Sequence, residues 1–194
     1  MRVLGIVCSP RKGGNTEILV GEALAAAREA GVETELFLVA DKNIAPCDGC
    51  GACEENNICK IKDDMQELYQ KLLEADGIIF GTPVYFSNVS AQAKAIIDRT
   101  YSLRRGRKLR DKVVGAIVTV RRVGGAQTRS LLYSFFIAQR MIVAGGAIGY
   151  GRDKGDVRTG VGGGAGVSAL EEAREVGMNV ASLMKRLSAG KASS

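Results

Sequence analysis

The chain contains no histidine and no tryptophan. Without imidazole it lacks the usual general base, the usual partner of a catalytic Ser or Cys, and any Cys3His metal site. Any chemistry must therefore rest on a bound group or on other side chains. Aromatic residues are few, five Tyr and five Phe, and they do not interleave with the basic residues. A stacking groove for single-stranded nucleic acid is not expected. No apolar run approaches the roughly 18–20 residues that cross a bilayer. The opening Met1–Cys8 stretch is too short for a signal peptide and reads as a strand. A cytoplasmic location is expected, with neither nucleic acid nor membrane as a partner. What is present is a chain of 194 residues, enough for one compact domain over 1–194, with no internal repeat and no linker. The net charge of +6 suits an acidic protein partner or an anionic ligand. The 25 glycines fall in clusters, which points to tight loops rather than disorder.

Four of the five cysteines form one run, Cys47-x2-Cys50-x2-Cys53-x5-Cys59, inside a loop over 46–60. Thiolates at this spacing can turn back on one centre. Gly49, Gly51 and Ala52 between them are small enough for close backbone approach. Overlapping C-x2-C pairs are the ferredoxin-type pattern for a [4Fe–4S] cluster. No second cysteine set exists, so Cys59 closes the same cluster. Two other readings stay open. Structural zinc usually takes two C-x2-C knuckles separated by a longer loop, a poor match. Disulfides would need an oxidising compartment, to which nothing here points. Cys8, outside the run, reads as a small core residue.

Around this loop the chain alternates strand and helix. Val3–Val7 reads as a buried strand. The loop 9–16, Ser-Pro-Arg-Lys-Gly-Gly-Asn-Thr, leads into a helix from near Thr16 to the stop at Gly31. The Ser9 and Thr16 hydroxyls, the Asn15 amide, the Arg11 charge and free N–H groups at the helix start would make an anion pocket. Neither G-x4-G-K-[ST] nor G-x-G-x-x-G is present, which argues against an NTPase or a standard dinucleotide site. A second strand is expected over Glu33–Val39. A helix over Ile61–Ala75 follows the cysteine loop, with Asp64 and Glu67 as a capping box. The third strand, Gly77–Phe80, should end in a loop over 81–88. Pro83, Val84, Tyr85 and Phe86 there could meet a flat ring, because open α/β sheets bind ligands at the carboxyl ends of central strands.

A helix is expected over Val89–Tyr101. The basic segment Arg104–Lys112 reads either as a solvated loop or as a docking surface for an acidic electron carrier. The fourth strand, Val113–Val120, runs into a third ligand loop carrying Thr119, Arg121, Arg122, Gly124 and Gly125. The glycines would let backbone approach a ligand, and one of the two arginines would stabilise negative charge. The helix 126–139 is apolar on several sides, which suggests burial between subunits. A fifth strand over Met141–Ile148, a Gly-rich connection over Gly149–Gly166, a helix from Ser168 to about Leu187 and a polar tail over Ser188–Ser194 complete the chain. Right-handed crossovers predict a doubly wound five-stranded parallel sheet, order 2-1-3-4-5, with the cysteine loop inserted after strand 2.

The loop from Ser9 to Thr16 resembles the loop that holds the FMN phosphate in flavodoxin-like reductases. Together with Thr-Pro-Val-Tyr-Phe at 82–86, the Gly-Gly loop after strand 4 and the four-cysteine run, the chain resembles the iron–sulfur flavoprotein family, flavodoxin-like relatives of the NADPH-dependent FMN reductases. The resemblance implies a [4Fe–4S] cluster on Cys47, Cys50, Cys53 and Cys59. It implies FMN phosphate held by Ser9, Arg11, Asn15 and Thr16, with Pro83–Phe86 and the loop from Thr119 to Gly125 lining the flavin ring and ribityl chain. It further implies homodimers paired into homotetramers, a cluster near a neighbouring subunit's flavin, electrons from ferredoxin, and an acceptor such as oxygen or hydrogen peroxide. The competing expectation is an NAD(P)H-dependent FMN or quinone reductase with a structural metal loop.

Overall fold

The computed structural model describes residues 1–163 and 166–192. Five strands pair in parallel: β1 (Arg2–Val7), β2 (Glu33–Leu38), β3 (Gly77–Tyr85), β5 (Val113–Val120) and β6 (Ile142–Tyr150), in the order β2-β1-β3-β5-β6. A two-residue strand β4 (Asn88–Val89) pairs antiparallel with the end of β3. Counted without β4, this is the expected flavodoxin-like order 2-1-3-4-5. The helices are α1 (Asn15–Glu29), α2 (Cys53–Asn56), α3 (Met65–Glu74), α4 (Ala91–Arg99), α5 (Tyr101–Arg104), α6 (Gly125–Ala138) and α7 (Ala169–Ala192).

The two faces of the sheet follow from the two-residue period of a strand. Leu4, Ile6, Val114, Ala116 and Val118 face one layer, with α3, α4 and α6 supplying Met65, Leu68, Ile96, Leu132 and Phe136. Val3, Val7, Val113 and Ile117 face the other, against Leu19, Val20 and Ala23 of α1 and Val176, Val180 and Met184 of α7. Burial on both faces explains why these strands read as unbroken apolar runs. Cys8 is fully buried within the first layer, and burial pushes its thiol pKa up, away from reactivity.

Several boundaries differ from the sequence expectation. Strand β3 continues past Phe80 to Tyr85, because Thr82 and Pro83 still pair with Val118 and Thr119. The expected loop shrinks to a hairpin tip at Phe86 and Ser87, both at positive φ (47° and 64°). Strand β6 likewise runs on to Tyr150. Helix α3 starts at Met65, not Ile61. Asp64 does not cap it; Asp63 Oδ1 accepts the Met65 N–H at 3.1 Å, and Asp64 Oδ2 accepts the Asn43 N–H at 2.6 Å. Helix α4 starts at Ala91, where Ser90 Oγ accepts the Ala93 N–H at 3.1 Å. The expected frayed tail is helical through Ala192, and Ser193 and Ser194 lie outside the described residues, as do positions 164–165 of the Gly-rich connection. Helix α6 buries Leu132 and Phe136 in its own chain and turns Phe135 edge-on to Phe80, with ring centroids 6.0 Å apart; Ile137 stays 66% exposed.

Helices α1 and α7 cross at a glycine. A Cβ on Gly177 would land on the carbonyl oxygen of Ala23. Alanine normally gains about 1 kcal/mol over glycine inside a helix, but overpacking a tight contact costs about 1–3 kcal/mol, and a backbone oxygen yields less than a side chain. Gly177→Ala is therefore expected to lower stability by roughly 2 kcal/mol. Gly21→Ala, on α1 with open space around the new methyl group, should raise it by up to about 1 kcal/mol. Urea unfolding of both variants checks the pair.

Candidate functional site

Two cavities gather the residues that the sequence singles out. The first, of about 290 Å3, is a crevice where the ends of β1, β3, β5 and β6 meet. Ser9 and Arg11 line it from the β1–α1 loop, Asn15 and Thr16 from the first turn of α1, Pro83, Val84 and Tyr85 from β3, and Thr119 and Arg121 from the end of β5 and the bend after it. The start of α1 is tied to the end of β5: the Thr16 and Thr119 hydroxyls share a buried hydrogen bond at 2.7 Å. Ser9 Oγ accepts the Arg11 N–H at 3.1 Å, folding the loop back on itself. Gly14 is the N-cap of α1 and provides no side chain, so the first-turn N–H groups of α1 have no side-chain cap, an arrangement suited to an anion.

Nine of these residues were expected at a ligand site from the sequence, and a fourth contributing segment was not. Gly151, Arg152, Asp153 and Lys154 also line the crevice. They belong to the Gly-rich connection after β6, whose length was the available signal. Asn15 holds this segment: its Nδ2 donates to the Asp153 carbonyl at 2.9 Å, and its Oδ1 accepts the Gly155 N–H at 2.8 Å. Asp156 accepts the N–H groups of Arg152 and Asp153, at 2.8 and 2.7 Å. These bonds hold its carboxyl below the usual range. Arg11, Arg121, Arg152 and Lys154 give the mouth a positive bias. Four other named residues do not line the crevice. Phe86 projects fully exposed at the hairpin tip. Arg122 is exposed on the following bend. Gly124 sits at φ 93° as the N-cap of α6, backing onto Ser87 and Val84. Gly125 is packed so tightly against Ile148 and Val120 that a Cβ would approach them to 2.9 and 3.2 Å.

The second cavity, of about 120 Å3, is lined by Cys47, Cys50, Cys53 and Cys59 together with Asp98, Arg99, Tyr101 and Ser102. The segment carrying the thiols lies between β2 and α3. It is shaped by its own backbone. Gly49 and Gly51 take φ of 67° and 74°, with nothing near the missing Cβ, so conformation rather than space demands glycine. Asp48 Oδ1 accepts the Cys50 N–H at 3.2 Å, and Asp48 also pairs with Lys60 at 3.4 Å. Burial, and then the nearby thiols of Cys59, Cys47 and Cys50, push the Cys53 thiol up. Among the described residues no three His, Cys, Asp or Glu side chains stand close enough to hold a single metal ion. The basic segment contributes structure here: Arg105 donates to the carbonyl of Glu54, and Leu109 is fully buried.

Behind the cysteines, Arg99 is buried with 0% of its side chain exposed and forms a fork with Asp63 (Nη1–Oδ2 2.9 Å, Nη2–Oδ1 3.1 Å). Burial opposes the charge on Asp63, but the Arg99 fork and the N–H groups of Ala45 and Met65 outweigh it and hold the carboxyl below its usual range.

With this geometry in view, the sequence profile of the NADPH-dependent FMN reductases matches residues 1–154. An iron–sulfur flavoprotein of Methanocaldococcus jannaschii is 45% identical over 195 aligned positions, covering 95% of this chain and 98% of that protein. This chain belongs to the iron–sulfur flavoprotein family, within the NADPH-dependent FMN reductases. A second iron–sulfur flavoprotein, from Methanosarcina thermophila, is 42% identical over 75% of this chain and 78% of its own. The flavodoxin, WrbA-like protein of Agrobacterium tumefaciens superposes with a TM-score of 0.64 at 18% identity, covering 95% of this chain and 97% of that one. At that identity it bears on the fold alone, which this iron–sulfur flavoprotein shares. Among the described residues no helix is long and apolar enough to cross a membrane.

Because the folded pKa of Asp63 is depressed, its stabilising effect is present above the unfolded value of about 4 and is lost as pH falls through the folded value. Asp63→Asn is expected to cost up to about 3–5 kcal/mol at pH 7 by leaving a buried cation without its counter-charge. The gap to wild type should narrow once the wild-type carboxylate is protonated in acid. Urea unfolding of the metal-free chain at neutral and acid pH measures it.

Proposed function

We propose that this protein is an electron-transfer iron–sulfur flavoprotein that carries FMN in the crevice and a [4Fe–4S] cluster in the cysteine cavity. The observation that carries the reading is four thiols lining one small cavity beside a separate, cation-lined crevice, in a chain that matches iron–sulfur flavoproteins along nearly its full length. A cubane takes one thiolate at each of four corners, a wider set than a single ion needs. Cys47, Cys50, Cys53 and Cys59 would hold it. For FMN, Arg11, the Ser9 and Thr16 hydroxyls and the start of α1 fit the phosphate, and Pro83, Val84 and Tyr85 offer an apolar wall for the ring. Asn15 fits this site by closing the loop 153–155 over the phosphate end. Arg121, which lines the crevice, fits better than Arg122 as the side chain that balances negative charge on the flavin.

When bound, the cluster delivers single electrons and FMN holds one or two, so together they join one-electron supply to two-electron chemistry. The chain's own part is to hold both groups, exclude water and set the local charge without any imidazole. Among the described residues none lines both cavities, and electrons would pass between a cluster and a flavin of neighbouring subunits in a homodimer assembling to a homotetramer. Exposed Phe86, Val123 and Ile137, at 106%, 74% and 66%, are apolar surface suited to such contacts. Ferredoxin, or a similar acidic carrier, is the donor that fits a chain of net charge +6. Oxygen or hydrogen peroxide are the candidate acceptors, and the cytoplasm is the expected compartment.

The NADPH-dependent FMN reductase match favours a second reading, in which NAD(P)H reduces FMN directly, with quinone as a possible acceptor, and the cysteine loop is only structural. Anaerobic reduction of the bound flavin separates the two. On the first reading reduced ferredoxin bleaches the flavin quickly, Cys50→Ser slows this by at least about 10-fold, and the rate falls with added salt. Fast bleaching by NADPH alone, unchanged in Cys50→Ser, would establish the second.

A further inference from the structure

Arg99 does more than pair with Asp63. Its Nη1 also donates to the Ala45 carbonyl at 2.9 Å, and its Nη2 to the Ile61 carbonyl at 3.2 Å. Ala45 stands two residues before Cys47, and Ile61 two residues after Cys59. One guanidinium therefore grips both ends of the cysteine segment and fixes them to α4. Asp63 closes the same junction from the other side by accepting the Ala45 N–H at 2.8 Å. The base is firm, since the Tyr69 hydroxyl donates to the Arg99 carbonyl at 2.8 Å. Four of the five guanidinium hydrogens can be satisfied by this arrangement. The fifth is not: Arg99 Nε is buried, and among the described residues no acceptor meets it with hydrogen-bond geometry, the nearby Tyr69 hydroxyl donating instead to the Arg99 carbonyl. Leaving a buried donor unpaired costs about 1–3 kcal/mol, more when charged, and native folds rarely tolerate it without a reason. Arg99 is also part of the wall of the cysteine cavity.

We propose that Arg99 is the positioning residue of the cysteine segment, clamping it shut before any metal arrives and donating its spare Nε–H to a sulfur in the cavity. This rests on the reading of that cavity as a cluster site. A lysine could keep the charge but not the planar fork, and it has no donor equivalent to Nε. Hydrogen bonds to cluster sulfurs are among the factors that set the reduction potential, and they favour the reduced, more negative form.

The test uses Arg99→Lys, with retained FMN binding as the sign of an intact fold, since Arg99 lies outside the crevice. In the metal-free chain, protease cleavage between 46 and 62 should rise about 10-fold or more, as local opening becomes easier. In anaerobically loaded protein the cluster midpoint potential should fall while the FMN potential stays put. Should the lysine variant not fold, hydrogen exchange in the wild-type metal-free chain decides instead: the Ala45 N–H, which Asp63 accepts, should exchange as slowly as the core strands, and fast exchange there would overturn the clamp. Cleavage at the wild-type rate would overturn the clamp, and an unchanged cluster potential would overturn the sulfur contact. Wild-type protein that takes up neither iron nor sulfide would instead sink the cluster reading, with the cleavage result still deciding the clamp.

Discussion

Strand β1 pairs in parallel on both sides, with β2 and with β3, and both cavities depend on that double pairing. It places the sheet's reversal of strand order at the end of β1, where the loop from Ser9 can open between neighbours. The chain leaving β2 exits at the same edge and runs on into the cysteine segment. The register is fixed by apolar faces on both sides of the sheet. A slip of one residue would turn Leu4 and Ile6 away from α3 and α4 and expose the whole pattern to the wrong layer. Positioning of the chemistry is thus a by-product of burying the core.

What the sheet does not supply, buried polar contacts do. Thr16 and Thr119 join the first turn of α1 to the end of β5. Ser90 Oγ donates to the Cys8 carbonyl at 2.6 Å, tying the end of β1 to the start of α4. Arg99 and Asp63 then tie α4 to the cysteine segment. These contacts lie in a low-dielectric interior, where a satisfied network specifies one arrangement and a broken one is costly. The same helix α4 thereby contacts the neighbourhood of both cavities. It is the rigid link between two segments that have little regular structure of their own.

Much of the fold was legible because parallel strands buried on both faces leave unbroken apolar runs, as at Val113–Val120, and because Gly31 stops α1 where the helical pattern ends. The cysteine spacing was legible for a chemical reason, since thiolates at two-residue intervals have few other uses. The misreadings share one cause: the deciding contacts are long-range. Strand β3 extends through Pro83 because β5 is there to pair with it. Helix α3 begins where Asp63 is held by Arg99, a partner 36 positions away. Residues 151–154 enter the crevice because Asn15 reaches 138 positions along the chain to Asp153. Gly124 and Gly125 were assigned to ligand approach, yet local sequence cannot distinguish that from the close packing against Val84, Val120 and Ile148 that the fold displays.

What the four thiols hold decides the chemistry of this chain. Protein purified without oxygen and analysed for iron, acid-labile sulfide, zinc and flavin should give about four iron and four sulfide per chain, with one FMN bound to the crevice. One zinc per chain without sulfide, or a cysteine segment that takes up no metal beside a normally bound flavin, would contradict it.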